Sequence, residues 1–136
     1  MRVLGLDVGT KTIGMAVGLK HMGIAQPLST LRRQSVKKDV PKILQVCQQQ
    51  RIDHIVIGLP LQLDGTEGRS ARLARQIGSE LSAQGNISIE YFDERFTTVE
   101  ASRRLQESGV HARNQKEMID QVAAMVIIED WMSNQS

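Results

Sequence analysis

The chain has 136 residues, of which 40% are hydrophobic, and this size supports one hydrophobic core but excludes two full domains. Its formal net charge of +2 is compatible with a polyanionic partner but does not require one. Aromatic residues make up 3% of the chain, which argues against a surface that binds nucleic acid mainly by base stacking.

The first predicted element is a strand over residues 2–8. Both of its faces are apolar except at Asp7, a pattern typical of a central strand that is covered on both sides. Because an unpaired buried carboxylate is costly, Asp7 must meet a cation, hydrogen-bond donors or water at the end of this strand. Residues 12–18 and 24–31 form two further predicted strands, and Pro27 indicates an edge position or a bulge in the third.

Beyond the third strand, helical and strand patterns alternate. Pro41 is expected in the first turn of its helix, since an interior proline removes a hydrogen bond. The remaining elements are, in order, a helix from Val40 to Gln50, a strand over 54–58, a helix that ends before Gly85, a strand over 87–93, a helix from Thr97 to Gly109 and a helix from Asn114 to Trp131. The first three strands are joined by turns and the later ones by helices, so we predict an α/β fold with a mixed five-stranded sheet and helices on both faces, in a single domain over residues 1–136.

Two acidic positions fall at the ends of predicted strands. Asp7 lies near the end of the first strand, Asp93 ends the fifth, and Glu94 follows it directly. The carboxyl ends of parallel strands meet at one rim of a sheet, so these acids can approach each other there. Alternation along the fifth strand leaves open which of Asp93 and Glu94 faces Asp7. Ordinary roles are also open, as a turn cap for Asp7 and a solvated side chain for Glu94.

A third acid, Asp120, lies on the last predicted helix. It shares a stripe with Ala123 and Ala124, whose small side chains allow the helix to lie close against the sheet. Asp120 could instead pair with Lys116 at i, i+4 spacing. If it joins Asp7 at the rim, clustered carboxylates without histidine or cysteine favour hard divalent cations, Mg²⁺ or Mn²⁺, of the kind that catalyse phosphodiester hydrolysis in pairs.

Basic residues accompany the acidic segments. Arg69, Arg72 and Arg75 lie on about one face of the helix that follows a glycine-rich loop, consistent with a phosphate substrate. A helical charge stripe is more often a solvated face, and the same reading applies to Arg32 and Arg33. Cys47, the only cysteine, is expected to be a small buried side chain.

Four segments together resemble a known family. They are residues 4–11 (LGLDVGTK), 58–68 (GLPLQLDGTEG), 93–98 (DERFTT) and 116–124 (KEMIDQVAA). In this order and spacing they resemble the YqgF family of bacterial RNase H-like proteins, also called RuvX. The resemblance implies a ribonuclease H-like fold, a metal-dependent nuclease that trims the 5′ end of pre-16S rRNA, and a likeness to Holliday junction resolvases.

The resemblance also implies site residues. Asp7, Glu94 and Asp120 would be the catalytic metal ligands, so the preference for Glu94 over Asp93 comes from the family. The family pattern also implies residues that bind the phosphate or support the site residues, and these are Thr10, Lys11, Asp64, Gly65, Arg95, Thr97 and Lys116. The basic face of the helix after the glycine-rich loop adds Arg69 to the predicted phosphate contacts.

Two other functions remain open. The segment Gly5 to Thr10 is similar to the first phosphate loop of sugar kinases and actin-type ATPases, but those enzymes hold ATP between two such domains. A ribosome- or transcription-associated RNA-binding module would bind RNA without cleaving it.

The single cysteine and the lack of an apolar run of ~18 residues predict a cytoplasmic protein with no membrane partner. Its partner would be nucleic acid, either ribosomal RNA precursor or branched DNA, bound by a monomer or a homodimer.

Overall fold

A computed structural model of the protein describes residues 1–62, 64–93 and 112–134, and in the last range its side chains are described from residue 118 onward. The predicted helix over 97–109 lies outside the described residues. The elements are β1 (Arg2–Val8), β2 (Thr12–Leu19), β3 (Ile24–Arg32), α1 (Val36–Gln50), β4 (His54–Leu59), α2 (Arg69–Gln84), β5 (Ser88–Asp93) and α3 (Ala112–Ser133). A short 3-10 turn, Lys20–Met22, joins β2 to β3.

The five strands form one mixed sheet in the order β3-β2-β1-β4-β5. β2 pairs antiparallel with both β1 and β3, whereas β4 is parallel to both β1 and β5. The central position of β1, the edge position of β3 and the predicted irregularity at Pro27 are all confirmed. The β2–β3 register shifts between Met15 and Ala16, which pair with Ser29 and Pro27.

Helices cover both faces of the sheet, as predicted. α1 and α2 lie on one face, where Leu6 and Ile57 belong to the main buried core. α3 lies on the other face, where its residue Ile127 packs against Val3 and Val56. Opposite side chains of the same strands therefore enter different halves of the core. Within the described ranges, no helix is both long and apolar enough to cross a membrane.

The start of α1 differs from the prediction. The helix begins at Val36, four residues earlier than Val40, so Pro41 lies inside it and the expectation of a first-turn proline is wrong. The physical reason is the cap, since the Ser35 hydroxyl accepts a hydrogen bond from the backbone N–H of Lys38 at 3.2 Å. The helix therefore extends upstream of its first fully buried position, and Pro41 leaves one carbonyl in the first turn without its usual donor.

Cys47 has the structural role that was predicted. It lies in α1 among the buried residues of the main core. Burial raises the pKa of its thiol to about 11, so the side chain is protonated at neutral pH and behaves as a small apolar group.

Candidate metal and nucleic acid site

Asp7 lies on the α3 side of the sheet. It is half-buried at the end of β1, and its Cα pairs with that of Gly14 on β2. Side chains alternate along a strand, and Val3, four residues earlier, packs against Ile127 of α3. The carboxylate of Asp7 therefore shares its face with α3, at the rim where β1, β4 and β5 all end.

Gly14 brings Asp120 to the same place. A Cβ built on Gly14 would overlap the backbone carbonyl of Asp120 and lie 2.7 Å from the Asp120 Cβ, so the helix rests directly on this glycine. Asp7 is paired with Gly14, and paired residues of antiparallel strands have Cα atoms about 4.5–5.5 Å apart. Because Asp120 rests on Gly14, it lies close to Asp7. Ala123 and Ala124 are buried against the sheet, and the predicted close approach of the alanine stripe is confirmed.

Thr12 belongs to this arrangement, although its sequence context does not single it out. Its hydroxyl Oγ1 donates a hydrogen bond to Oδ2 of Asp120 at 2.5 Å, across 108 residues of sequence. A hydroxyl that donates to a carboxylate forms a charge-assisted hydrogen bond, which is stronger than a bond between neutral groups. No local sequence signal could have identified Thr12, because its partner is set by the docking of α3 onto β2.

The alternation of side chains along β5 shows which face of the sheet carries Asp93. Glu90 faces α3, because one of its carboxylate oxygens accepts a hydrogen bond of 2.7 Å from the indole N–H of Trp131. Tyr91 faces the opposite way, toward α2, where its ring lies 4.9 Å from the Arg75 guanidinium carbon. By the same alternation, Asp93 is on the α1 and α2 side, opposite to the face of Asp7.

Several predicted site residues cannot be placed. Glu94, Arg95 and Thr97 lie outside the described residues, as does the side chain of Lys116. Within the part of the chain that the structure describes, no three His, Cys, Asp or Glu side chains cluster closely enough to hold a metal ion. The described portion of the predicted trio is the pair formed by Asp7 and Asp120.

The turn between β1 and β2 carries Thr10 and Lys11, both exposed beside Asp7. Its backbone is held at both ends. The Gly9 N–H donates to the Thr12 carbonyl at 2.8 Å, and Arg33 donates twice, from its backbone N–H to the Lys11 carbonyl at 2.8 Å and from Nη1 to the Gly9 carbonyl at 3.1 Å. A fixed backbone here gives the Thr10 and Lys11 side chains a defined origin at the rim.

Arg33 is in turn held by a fully buried carboxylate. Its Nε lies 3.1 Å from Oδ2 of Asp39, while Oδ1 of Asp39 accepts from the Gln34 N–H at 3.0 Å. The Arg33 side chain is 9% exposed and that of Asp39 is 0% exposed. The expectation that Arg33 is a solvated surface charge is therefore wrong, because the first turn of α1 covers it.

The substitution Asp39→Asn should lower the free energy of unfolding by about 2 kcal/mol, because hydrogen bonds to charged groups are worth roughly 1.5–3 kcal/mol. Asparagine keeps the shape and can keep the bond from Gln34, but it leaves the Arg33 guanidinium without its anion. Urea unfolding followed by circular dichroism measures the change.

Glu67→Gln is the matched control, since Glu67 forms an exposed, two-bond pair with Arg75, with N–O distances of 2.6 and 2.7 Å. Exposed pairs of this kind contribute little, so this variant should unfold as the parent does. Equal losses in Asp39→Asn and Glu67→Gln would contradict the argument from burial.

The loop after β4 is folded on itself. Oδ1 of Asp64 accepts from the backbone N–H of Thr66 at 3.0 Å and from its hydroxyl at 2.7 Å, and these bonds lower the pKa of Asp64. Gly65 has a φ of +89°, which favours glycine. Asp64 and Gly65 thus build the turn, and their contact with phosphate stays a prediction. Arg69, also predicted to bind phosphate, is exposed at the first position of α2.

Comparison with known proteins identifies the family. Residues 1–134 match the family model described as RuvX, Holliday junction resolvase. The chain belongs to the RuvX family. A relative from Myxococcus xanthus, named “putative pre-16S rRNA nuclease”, is 42% identical to this RuvX chain over 133 residues, which cover 97% of the chain and 87% of the relative. A relative of the same name from Anaeromyxobacter dehalogenans is 40% identical over 136 residues, covering 100% and 99% of the two chains.

Solved structures show the fold of this RuvX chain. RuvC of Thermus thermophilus in complex with a Holliday junction substrate superimposes with a TM-score of 0.61 and 14% identity, covering 98% of this chain and 97% of the other. The fowlpox virus resolvase in complex with Holliday junction DNA gives a TM-score of 0.59 and 10% identity, with 98% and 97% coverage. The ribonuclease H-like fold is confirmed, and the chain is a member of a nuclease family.

Proposed function

We propose that this protein is a divalent-metal-dependent nuclease that processes the 5′ end of pre-16S rRNA, with Asp7, Glu94 and Asp120 as its metal ligands. The observation that carries the proposal is the approach of Asp7 and Asp120, from opposite ends of the chain, over Gly14 at one rim of the sheet. The full-length similarity to relatives that bear the pre-16S rRNA nuclease name supports the choice of substrate.

The two described acids suit a hard cation. Both are half-buried, and carboxylate oxygens are the ligands that Mg²⁺ and Mn²⁺ prefer. Two anionic side chains brought together at one rim repel each other in a partly desolvated setting, and a divalent cation would neutralise them. Asp7, Glu94 and Asp120 would hold such ions, which would supply activation of a water molecule and stabilisation of the leaving oxygen in phosphodiester hydrolysis. The chain's own contribution is to hold the carboxylates on rigid elements, β1 and α3.

The third ligand is best assigned to Glu94. Asp93 lies on the face of β5 opposite to Asp7, as the orientations of Glu90 and Tyr91 indicate. An acid on the α1 and α2 side is separated by the sheet from Asp7 and Asp120, which would hold the metal. This supports Glu94, the position that the family resemblance implies, over its neighbour.

The turn after β1 supplies the phosphate contacts in this proposal. Thr10 and Lys11 are exposed there on a backbone that Arg33 holds, and a lysine beside a metal site attracts the phosphate backbone electrostatically. Arg69, Asp64, Gly65, Arg95, Thr97 and Lys116 are proposed to extend this surface. The protein would act in the cytoplasm on RNA.

A second candidate function is Holliday junction resolution, favoured by the description of the family model that spans residues 1–134. A resolvase cuts two strands at one junction and therefore needs two active sites, which requires a homodimer. Trimming one RNA end needs a single site, so a monomer suffices. Substrate and oligomeric state are consequently linked in this protein.

A cleavage assay separates these functions. The purified protein is incubated with an RNA that spans the 5′ end of 16S rRNA and its precursor, and separately with a four-way DNA junction, each with Mg²⁺ or Mn²⁺. We expect the RNA to be cut at the precursor end and the junction to remain intact. Paired cuts in the junction, with the RNA untouched, would instead identify a resolvase. Binding of RNA without cleavage of either substrate would indicate a non-catalytic RNA-binding module.

A further inference from the structure

We propose that Thr12 is a positioning residue for the metal, acting through its hydrogen bond to Asp120. The Thr12 hydroxyl sets the orientation of the Asp120 carboxylate that holds the ion. This inference rests on the proposed metal-dependent function, and it adds a residue outside the proposed set of metal ligands.

The geometry of the bond suits this role. Oγ1 of Thr12 lies 2.5 Å from Oδ2 of Asp120, and both side chains are half-buried. An aspartate on a helix can rotate about two side-chain bonds, so its two oxygens are otherwise interchangeable. A donor fixed to one oxygen sets the plane of the carboxylate, and threonine is well suited because its branched Cβ restricts its own rotation.

Thr12 is carried by a rigid part of the fold. It is the first residue of β2, a strand paired on both sides, with Thr12 itself in register with Arg32 of β3. Its backbone carbonyl also accepts the Gly9 N–H at 2.8 Å, which closes the turn after β1. The pairing of β1 with β2 therefore positions both the Thr12 hydroxyl and the Asp7 side chain. Support of a ligand by groups on rigid elements is what a precise metal site requires.

A second hydrogen bond between α3 and a threonine of the sheet serves as a control, because its partner on the helix is not an acid. Gln121, next to Asp120 on α3, donates from Nε2 to the Thr30 hydroxyl at 3.0 Å. This bond also joins α3 to the sheet through a threonine, but on β3 and with a neutral partner. Thr30→Val therefore removes a similar link between helix and sheet and leaves the Asp120 carboxylate unaffected.

The test measures Mn²⁺ affinity without nucleic acid, using the electron paramagnetic resonance signal of free Mn²⁺ during titration. Four variants are compared with the parent, Thr12→Val, Thr12→Ser, Thr30→Val and Asp7→Asn, and urea unfolding in EDTA checks the fold of each. We expect Thr12→Val to weaken Mn²⁺ binding by about 10–100-fold, the usual effect of losing a group that orients a metal ligand. Thr12→Ser retains the hydroxyl and should restore affinity, and Thr30→Val should bind as the parent does.

The outcomes separate this inference from the function on which it rests. If Asp7→Asn abolishes Mn²⁺ binding while Thr12→Val binds as tightly as the parent, the role of Thr12 is overturned and the metal site stands. If Asp7→Asn leaves the titration unchanged, the proposed metal site fails and the role of Thr12 fails with it. Equal weakening in Thr12→Val and Thr30→Val would show a general effect of helix docking and would also overturn the positioning role.

Discussion

Replacing Asp7 by asparagine is expected to slow phosphodiester cleavage about 10³-fold at saturating Mg²⁺, equivalent to about 4 kcal/mol in the barrier. Asparagine keeps the size of the side chain and one carbonyl oxygen but removes the charge that holds a divalent cation. The position lies at the end of β1, so the fold should persist. Single-turnover cleavage of the precursor RNA measures the rate, and circular dichroism verifies folding.

Asp93→Asn is the matched control for this prediction. Asp93 also ends a strand at the same rim, but on the opposite face of the sheet, so its charge should be dispensable for cleavage. The expected result is a rate close to that of the parent. A large loss in Asp93→Asn with little loss in Asp7→Asn would reverse the assignment of the two faces and contradict the proposed site.

Gly14→Ala is expected to damage both stability and activity. A methyl group at this position overlaps the backbone carbonyl of Asp120, and no change of side-chain rotamer can relieve a clash with backbone. The helix must move away from the sheet, which should lower the free energy of unfolding by about 3 kcal/mol, the upper end of the usual range for overpacking. The shift also separates Asp120 from Asp7, and a displacement of about 1 Å in a catalytic group can cost about 10²-fold in rate. Urea unfolding and single-turnover cleavage measure the two effects.

Gly18→Ala is the control for Gly14→Ala, because it also crowds the contact between β2 and α3 but lies away from Asp120. Gly18 lies four residues along β2 on the same face, and a Cβ there would lie 2.5 Å from Cγ2 of Ile128, a side-chain atom that can move. We expect a smaller loss of stability and an unchanged cleavage rate in the folded protein. If both variants lose activity equally, the special contact between Gly14 and Asp120 has no part in the site.

Much of the fold follows from local patterns. The two apolar faces around Asp7 predicted that β1 is central, and the turn and helix connections predicted the antiparallel and parallel halves of the sheet. The alanine stripe beside Asp120 predicted that α3 lies close to the sheet. These features depend on neighbours in sequence or on one-dimensional periodicity, which a single chain displays directly.

The contacts that fix the site depend on three-dimensional register and could not be predicted. Thr12 contacts Asp120 only because α3 packs on Gly14. A threonine at the start of a strand has no sequence feature that predicts such a contact. Arg33 appeared to be one member of a solvated basic stretch, yet the early start of α1 buries its partner Asp39. The sequence shows which residue types are present, but which side chains contact each other depends on how distant helices and strands pack together.

The order of the elements along the chain has a consequence for synthesis on the ribosome. The five described strands all precede α3, so the sheet can assemble while α3 is still being made, and domains generally fold from the N-terminal side as they emerge. Until α3 docks, Asp7 has no Asp120 beside it, and the apolar side chains of Val3 and Val56 remain uncovered. If Asp7 and Asp120 hold the metal as proposed, the nascent chain lacks this pair until α3 docks, and we expect nuclease activity only after that step.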